Sequence, residues 1–157
     1  MTTWRVLTWN ILGSRQPNLD VISEVIAGYS PDVVALQEVQ QRQARGLARR
    51  LRWHVIWTRK HYPFTPLLWW RAEGLAILTP ESVGEMISVS ISPGTSTWTY
   101  RHRVAMAATV TRSNEALRTV NTHLASHDAD DRIAQARRVA AIIGARRPAV
   151  VAVASAA

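Results

Sequence analysis

Cysteine is absent from the 157 residues of this sequence. Its absence excludes disulfide bonds, thiolate catalysis and cysteine-ligated zinc, and it leaves the redox compartment open. No run of apolar residues approaches the length of a membrane span, and no apolar segment follows the first charged residue. We therefore expect neither a transmembrane helix nor a signal peptide, and a cytoplasmic location is the default expectation.

Lysine and acidic residues are scarce as well. Only Lys60 among the 19 basic residues is a lysine, and the 11 acidic residues leave a net charge of +8. Arginine binds phosphate groups through two parallel hydrogen bonds, and a basic surface attracts phosphate-bearing partners. The other explanation for the many arginines is the base composition of the gene. The charge therefore favours a phosphodiester or phosphomonoester substrate without choosing between them.

The most informative stretch that is present runs from Pro31 to Val39. Residues 33–36 are all apolar, which is typical of a strand buried on both faces, and Pro31 ends the helix that precedes it. The strand then runs into Glu38. A carboxylate there is costly to bury unless a cation meets it. Glu38 is therefore either a metal ligand at the carboxyl end of a strand or a surface glutamate where the chain leaves the sheet.

A second predicted strand, from Trp4 to Leu12, carries Asn10 near its end. Together the two strands resemble the first two motifs of the endonuclease/exonuclease/phosphatase superfamily, in the stretches Leu7-Thr8-Trp9-Asn10 and Val34-Ala35-Leu36-Gln37-Glu38. The resemblance implies that Asn10 and Glu38 help to hold a divalent metal, Mg²⁺ or Mn²⁺. It also implies a phosphate-bearing substrate, which in this superfamily is nucleic acid, a phospholipid head group or an inositol phosphate.

Three further stretches continue the resemblance in the family's order: Glu73-Gly74-Leu75-Ala76-Ile77-Leu78-Thr79-Pro80, the strand that begins near Arg101-His102-Arg103, and Val120-Asn121-Thr122-His123-Leu124. The resemblance implies that His123 binds or polarises the scissile phosphate and that Glu73 orients this histidine. It also implies that Arg103 contacts the phosphate. The alternative for His123 is a purely structural histidine at the end of a strand.

The family fold is a deoxyribonuclease I-like four-layer sandwich of the α/β (α+β) class, in which two sheets lie between outer helices. The sequence predicts strands near residues 4–11, 33–38, 73–79, 103–111, 116–123 and 149–153, and helices after Asn18, Gln40 and Asp128. The resemblance covers nearly the whole chain but only the N-terminal part of a family domain. We expect about one mixed sheet with two or three helices, and self-association through the uncovered sheet face.

The resemblance weakens at the last predicted strand. Where the family has a Gly-Asp-x-Asn motif this sequence has Val153, Ala154, Ser155 and Ala156, and it has no counterpart of the family's C-terminal Asp-His pair. We therefore expect residues 1–157 to form an incomplete domain, with its C-terminal half absent and Mg²⁺ weakly bound if at all. Enzyme activity stays uncertain: the chain is a weakly active or inactive phosphoesterase, or a non-catalytic basic module that binds phosphate or nucleic acid.

Two surface features have alternative explanations. Arg42, Arg45, Arg49 and Arg52 fall on one stripe of the helix after Gln40, where they either track a phosphate backbone or form a solvated face. The neighbouring pair Trp69-Trp70 either stacks on bases or lipid, or covers the edge of the core.

Overall fold

The structure is a computed structural model that describes residues 3–61, 66–92, 94–99, 101–126, 128–143 and 148–155, with the backbone alone at 66, 67, 69 and 155. The strands are β1 (Val6–Asn10), β2 (Val33–Gln40), β3 (His54–Arg59), β4 (Glu73–Thr79), β5 (Ser82–Ser90), β6 (Val104–Arg112), β7 (Glu115–Leu124) and β8 (Ala149–Ser155). The α-helices are α1 (Leu19–Tyr29), α2 (Gln41–Leu51) and α3 (Ala129–Ile143). Short 3₁₀ turns span Gly13–Arg15 and Pro66–Arg71.

The strands form two mixed four-stranded sheets, with the orders β1-β2-β4-β3 and β5-β6-β7-β8. The α/β (α+β) sandwich class is confirmed, but the expectation of about one mixed sheet is wrong. The strands at residues 54–59 and 82–90, which were not counted in that sheet, form an edge of the first and of the second sheet, respectively. The chain passes from the first sheet to the second between β4 and β5. The physical reason is that strand pairing is non-local, so the sequence predicts strands better than it predicts their partners.

Each sheet contains one parallel pair joined by a helix. β1 and β2 are parallel with α1 between them in the chain, and β7 and β8 are parallel with α3 between them. Parallel neighbours need such a crossover, because the chain must return to the same end of the sheet. The Asn18 side chain caps α1 by accepting hydrogen bonds from the main-chain N–H groups of Asp20 and Val21, as the sequence predicts.

Three apolar layers hold the sandwich together. The first lies between α1 and α2 and the outer face of the first sheet, and it includes Ile26, Leu36 and Leu47. The second lies between the two sheets and includes Ile77 and Met106. A third, smaller layer joins α3 to the second sheet: Ile91, Ala105, Ala107, Val120 and Val139.

The inner faces of the two sheets therefore cover each other. The premise of an uncovered sheet face is contradicted, because a second sheet stands where the sequence analysis expected none. This removes the reason given for self-association. None of the described helices has both the length and the apolar character that crossing a membrane requires.

A buried polar cluster ties the two sheets together at one end. The amide nitrogen of Asn121 on β7 donates to the main-chain oxygens of Leu36 and Ala76 in the first sheet, each at 2.9 Å. The Gln37 side chain on β2 donates to Asn121 Oδ1 at 2.7 Å. A buried polar network is stable when its groups are hydrogen-bonded, so these bonds fix the ends of β2 and β7 against each other.

Candidate functional site

A β-bulge at Glu38 turns this carboxylate toward the second sheet. In the pairing of β2 with β4, Gln37 lies opposite Leu75 and Val39 lies opposite Gly74, so that Glu38 has no partner of its own. Its φ of 52° is in the left-handed region, which is unusual for glutamate. Because the bulge inserts one residue, Val39 packs with the helix-side layer and Glu38 shares the inner face with Gln37. Left-handed backbone at a non-glycine residue costs about 1–3 kcal/mol and clusters at functional sites.

His123 meets Glu38 from the second sheet. It follows Asn121 by two residues on β7, so both side chains lie on the face toward the first sheet. The ring nitrogen Nδ1 of His123 lies 3.4 Å from Glu38 Oε1, and the imidazole is only 2% exposed. Neither ring nitrogen has a hydrogen-bond partner among the described residues. Buried polar atoms are nearly always satisfied, so this ring is held at a position where a further polar group is expected.

A group of basic side chains, which we call the basic corner, surrounds this pair. It consists of Lys60 and His61 after β3 and of His102 and Arg103 before β6. Lys60, Arg103 and His102 are buried, and Lys60 Nζ lies 3.9 Å from Glu38 Oε1. Lys60 and Arg103 thus place cationic donors beside His123, where they could meet a phosphate group, while Glu38 and Glu73 act on Lys60 as the opposing charges.

The electrostatics of the basic corner keep His123 neutral. Burial is the main cause that lowers the pKa of His123 from 6.5 to about 3, and the charges of Lys60 and Arg103 lower it further. Burial and the same two cations also lower the pKa of His61 to about 4. Burial lowers the pKa of Lys60 too, with Arg103 acting in the same direction and Glu38 and Glu73 opposing it.

Glu73 lies near the site, but among the described residues no hydrogen bond joins it to the His123 ring. At the start of β4, its Oε1 accepts a hydrogen bond from the main-chain N–H of Ser14 at 2.8 Å. Burial raises the pKa of Glu73, the Ser14 hydrogen bond opposes that rise, and the charge of Glu38 adds to it. The carboxylate beside His123 is Glu38 instead.

Asn10 stands at the end of β1, opposite Gln37 in the parallel pair and thus one residue from Glu38 along the neighbouring strand. Its Oδ1 accepts a hydrogen bond from the main-chain N–H of Leu12 at 3.2 Å. The structure therefore brings four of the five predicted residues to one end of the sandwich: Asn10, Glu38, Glu73 and His123. The charge of the fifth, Arg103, acts on His123.

Lys60 and His61 are the site residues that the sequence analysis missed. They follow a short strand with no family-like motif, so neither spacing nor resemblance singles them out. One signal was present: Lys60 is the single lysine in a chain that otherwise uses arginine. The residue paired with His123 on β8 is Ala154, which has no polar side-chain group to offer the site. Ala156 lies outside the described residues.

The sequence profile of the Endonuclease/Exonuclease/phosphatase family matches residues 7–152, which is nearly the whole chain. The chain belongs to this family. No curated protein sequence matches it.

Solved structures of the endonuclease/exonuclease/phosphatase fold are similar in shape. An endonuclease/exonuclease/phosphatase family protein from Leptotrichia buccalis C-1013-b has a TM-score of 0.79 and 15% identity, covering 95% of this chain and 66% of its own. The mannosyl-6-phosphatase Bt3783 from Bacteroides thetaiotaomicron VPI-5482 has a TM-score of 0.75 and 15% identity, with coverages of 95% and 64%.

A third similar structure is D. rerio TDP2 complexed with a single-strand DNA product. It has a TM-score of 0.73 and 22% identity, covering 97% of this chain and 59% of its own. At these identities the likeness establishes the fold. The present chain spans less than two thirds of the length of each of these three relatives.

Proposed function

We propose that this chain is a divalent-metal-dependent phosphoesterase of low activity whose site is formed by Glu38 and His123. The observation that carries the proposal is the approach of His123 Nδ1 to within 3.4 Å of Glu38 Oε1, with the ring nitrogens unsatisfied among the described residues and the basic corner beside them. Membership of the family supports the same reaction class. The similar structures include a mannosyl-6-phosphatase and a protein bound to single-strand DNA product, both of which concern phosphate esters.

The donor set fits a weakly held Mg²⁺. Mg²⁺ takes oxygen ligands and usually keeps several waters on one or two carboxylates. Glu38 offers a carboxylate that is 15% exposed, and Asn10 offers an amide oxygen beside the same strand end. No group of three or more His, Cys, Asp or Glu side chains with metal-binding geometry occurs in the described part of the chain. When bound, the metal would neutralise charge on a phosphoryl oxygen.

The protein's own residues bind and orient the phosphate ester. Lys60 and Arg103 attract the anion into the basic corner, where both are buried. A bound phosphate brings negative charge beside His123, which offsets the two cations and raises the pKa of the ring. The protonated ring has two N–H donors, one for Glu38 Oε1 at Nδ1 and one for a phosphoryl oxygen at Nε2. Such oriented donors stabilise charge that develops in the transition state.

Slow turnover follows from the residue paired with His123. Ala154 has a methyl group, which neither accepts a proton from water nor donates to the phosphoryl group. Loss of a general base typically costs about 10²–10⁴-fold in rate. We infer that the site binds its ester better than it hydrolyses it.

Hydrolysis of bis(4-nitrophenyl) phosphate with and without Mg²⁺ tests this function. We expect slow, Mg²⁺-dependent release of nitrophenol above the buffer rate. Glu38→Gln and His123→Asn should lose it, while Glu24→Gln, an exposed glutamate on α1, should not. Unchanged rates in both site variants would refute the assignment. A turnover number near the median for enzymes, about 10 s⁻¹, would refute the loss of rate attributed to Ala154.

The second candidate is a non-catalytic module that binds phosphate or nucleic acid. Two observations favour it: Ala154 beside His123, and Lys60 placed as a counter-charge to Glu38. The same assay separates the two functions when phosphate binding is measured in parallel by calorimetry. Binding of phenyl phosphate in EDTA, without hydrolysis above buffer, would favour the binding module.

A further inference from the structure

A second basic cavity lies on the helix side of the first sheet. Its volume is about 180 Å³. We call it the arginine–tryptophan pocket, and its described lining is Gln41, Arg42, Arg45, Trp57, Arg59, Trp70 and Ala72. The pocket unites parts of two features that the sequence left open: Arg42 and Arg45 of the arginine stripe on α2, and Trp70 of the tryptophan pair.

The charge of the pocket is one-sided. Three arginines and no acidic residue occur among its described lining. Arg42 is held by neutral amide oxygens, Gln40 Oε1 at 3.0 Å and Gln16 Oε1 at 3.2 Å, which orient the guanidinium without neutralising it. By contrast, Arg50 on the same helix pairs with Asp20 at 2.6 Å. The pocket therefore keeps a positive potential that a phosphate group would satisfy.

Two indole rings form the apolar part of the pocket. The Trp57 N–H donates to the main-chain oxygen of Val39 at 2.9 Å, which fixes this ring against the sheet. Trp70 also lines the pocket and is 47% exposed. An exposed indole beside arginines is a suitable platform for a nucleobase, because every base has a π-face that stacks on aromatic rings.

The position of the pocket relates it to the candidate site. Arg59, in the pocket, directly precedes Lys60 of the basic corner, and Ala72, in the pocket, directly precedes Glu73 of the candidate site. Because successive side chains of a strand point to opposite faces, the pocket opens on the helix side and the site on the inner side. On the other side of α2, a second depression shares Arg42 and adds Arg49 and Arg50. Of these arginines, Arg50 is paired with Asp20, so Arg42 and Arg49 carry the positive charge around the helix.

We propose that the arginine–tryptophan pocket binds one nucleotide of a single-stranded nucleic acid, with the base against Trp70 and a flanking phosphate against Arg45 and Arg42. A single strand is specified because a paired base would not present its face to the indole. The proposal rests on the proposed function only in that the bound nucleic acid continues from the pocket toward the Glu38 site. Binding at the pocket itself requires neither metal nor hydrolysis.

Fluorescence anisotropy with a labelled oligothymidylate tests the proposal in EDTA, on the full chain. We expect Trp70→Ala to weaken binding by about 5-fold or more, and Trp70→Phe to retain most of it. Arg45→Ala should weaken binding and lower the slope of log K against log salt by about 0.7, the value for one phosphate contact on a single strand. Arg137→Ala, an exposed arginine on α3, is the matched charge control.

The controls separate this proposal from others. A strand of the same length without bases should bind the unaltered chain as weakly as the oligothymidylate binds Trp70→Ala. Equal losses for Arg45→Ala and Arg137→Ala would overturn the proposal, since net charge alone would then explain binding. Equal binding of duplex and single strand would overturn it as well. Because no turnover is measured, an inactive chain that still shows these differences would refute the proposed function and leave the pocket assignment standing.

Discussion

Replacing Gly13 with alanine should displace the main chain that carries Glu38. Gly13 lies against the bulge that carries Glu38, and a Cβ atom there would collide with the main-chain oxygen of Glu38. The same Cβ would lie 2.5 Å from Gln43 Oε1, a separation that real Cβ atoms essentially never show. Gln43 has little freedom to move away, because its amide donates to Gly13 O at 2.9 Å while its oxygen accepts from the Gln40 N–H at 2.9 Å.

The expected cost is that of overpacking a buried position. Inserting a carbon into a tightly packed place costs about 1–3 kcal/mol, with backbone displacement. For a chain of this size each kcal/mol lowers the melting temperature by about 2–4 °C. Urea unfolding followed by tryptophan fluorescence measures the free energy, and the affinity for Mn²⁺ reports whether Glu38 has moved. We expect both to fall in Gly13→Ala.

Gly28→Ala is the matched control. Gly28 lies in α1, where an added Cβ meets no atom within 4 Å. Alanine in a helix is favoured over glycine by about 0.5–1 kcal/mol, so this variant should be more stable than the unaltered chain. If Gly13→Ala were as stable as Gly28→Ala and bound Mn²⁺ normally, the close packing behind Glu38 would be refuted.

Three further outcomes are expected. Asn121→Ala should lower the free energy of unfolding, measured in urea, by about 1–3 kcal/mol, because it removes the donor to two main-chain oxygens of the first sheet. Thr119→Val is the control and should be nearly neutral in the same measurement, because the buried hydroxyl that it removes has no partner among the described residues. Lys60→Met should tighten Mn²⁺ binding in calorimetry by about tenfold or more, since it removes a positive charge 3.9 Å from the carboxylate, and Lys60→Arg should not. The lowered pKa values of His123 and His61 mean that the unfolded chain binds protons first, so stability should fall as the pH drops from 6.5 toward about 4 and then 3. The two rings together should cost about 3 kcal/mol between pH 6.5 and 5, and a flat profile in urea melts would contradict the buried neutral rings.

Local signals in the sequence predicted the elements that carry the site. The apolar run before Glu38 and the cap at Asn18 predict β2 and α1, and both are present. The order of motifs predicts that Asn10, Glu38 and His123 converge at one edge of a single mixed sheet. Glu38 and His123 do meet, with His123 Nδ1 3.4 Å from Glu38 Oε1, but they come from two different sheets. These are local patterns or sequence resemblances, which do not require the pairing of distant strands to be known.

Features that depend on tertiary pairing could not be predicted in this way. The division into two sheets depends on which strands meet across long stretches of chain. The bulge at Glu38 has no sequence signature, because a glutamate in left-handed backbone is held there by surrounding packing and not by its own preference. Lys60 enters the site only because β3 pairs with β4 and ends beside Glu38.

The ring signals of the five histidines test most directly whether Glu38 and His123 form one phosphate-ester site. In a chain with ¹³C-labelled histidine rings, the signal lost in His123→Asn identifies this residue. At pH 7 we expect phenyl phosphate with Mg²⁺ to move that signal toward its protonated position, and the signal of His54, exposed at the start of β3, to stay in place. Glu38→Gln should abolish the movement. A His123 signal that does not respond to saturating ligand, or that moves only as much as that of His54, would contradict the site.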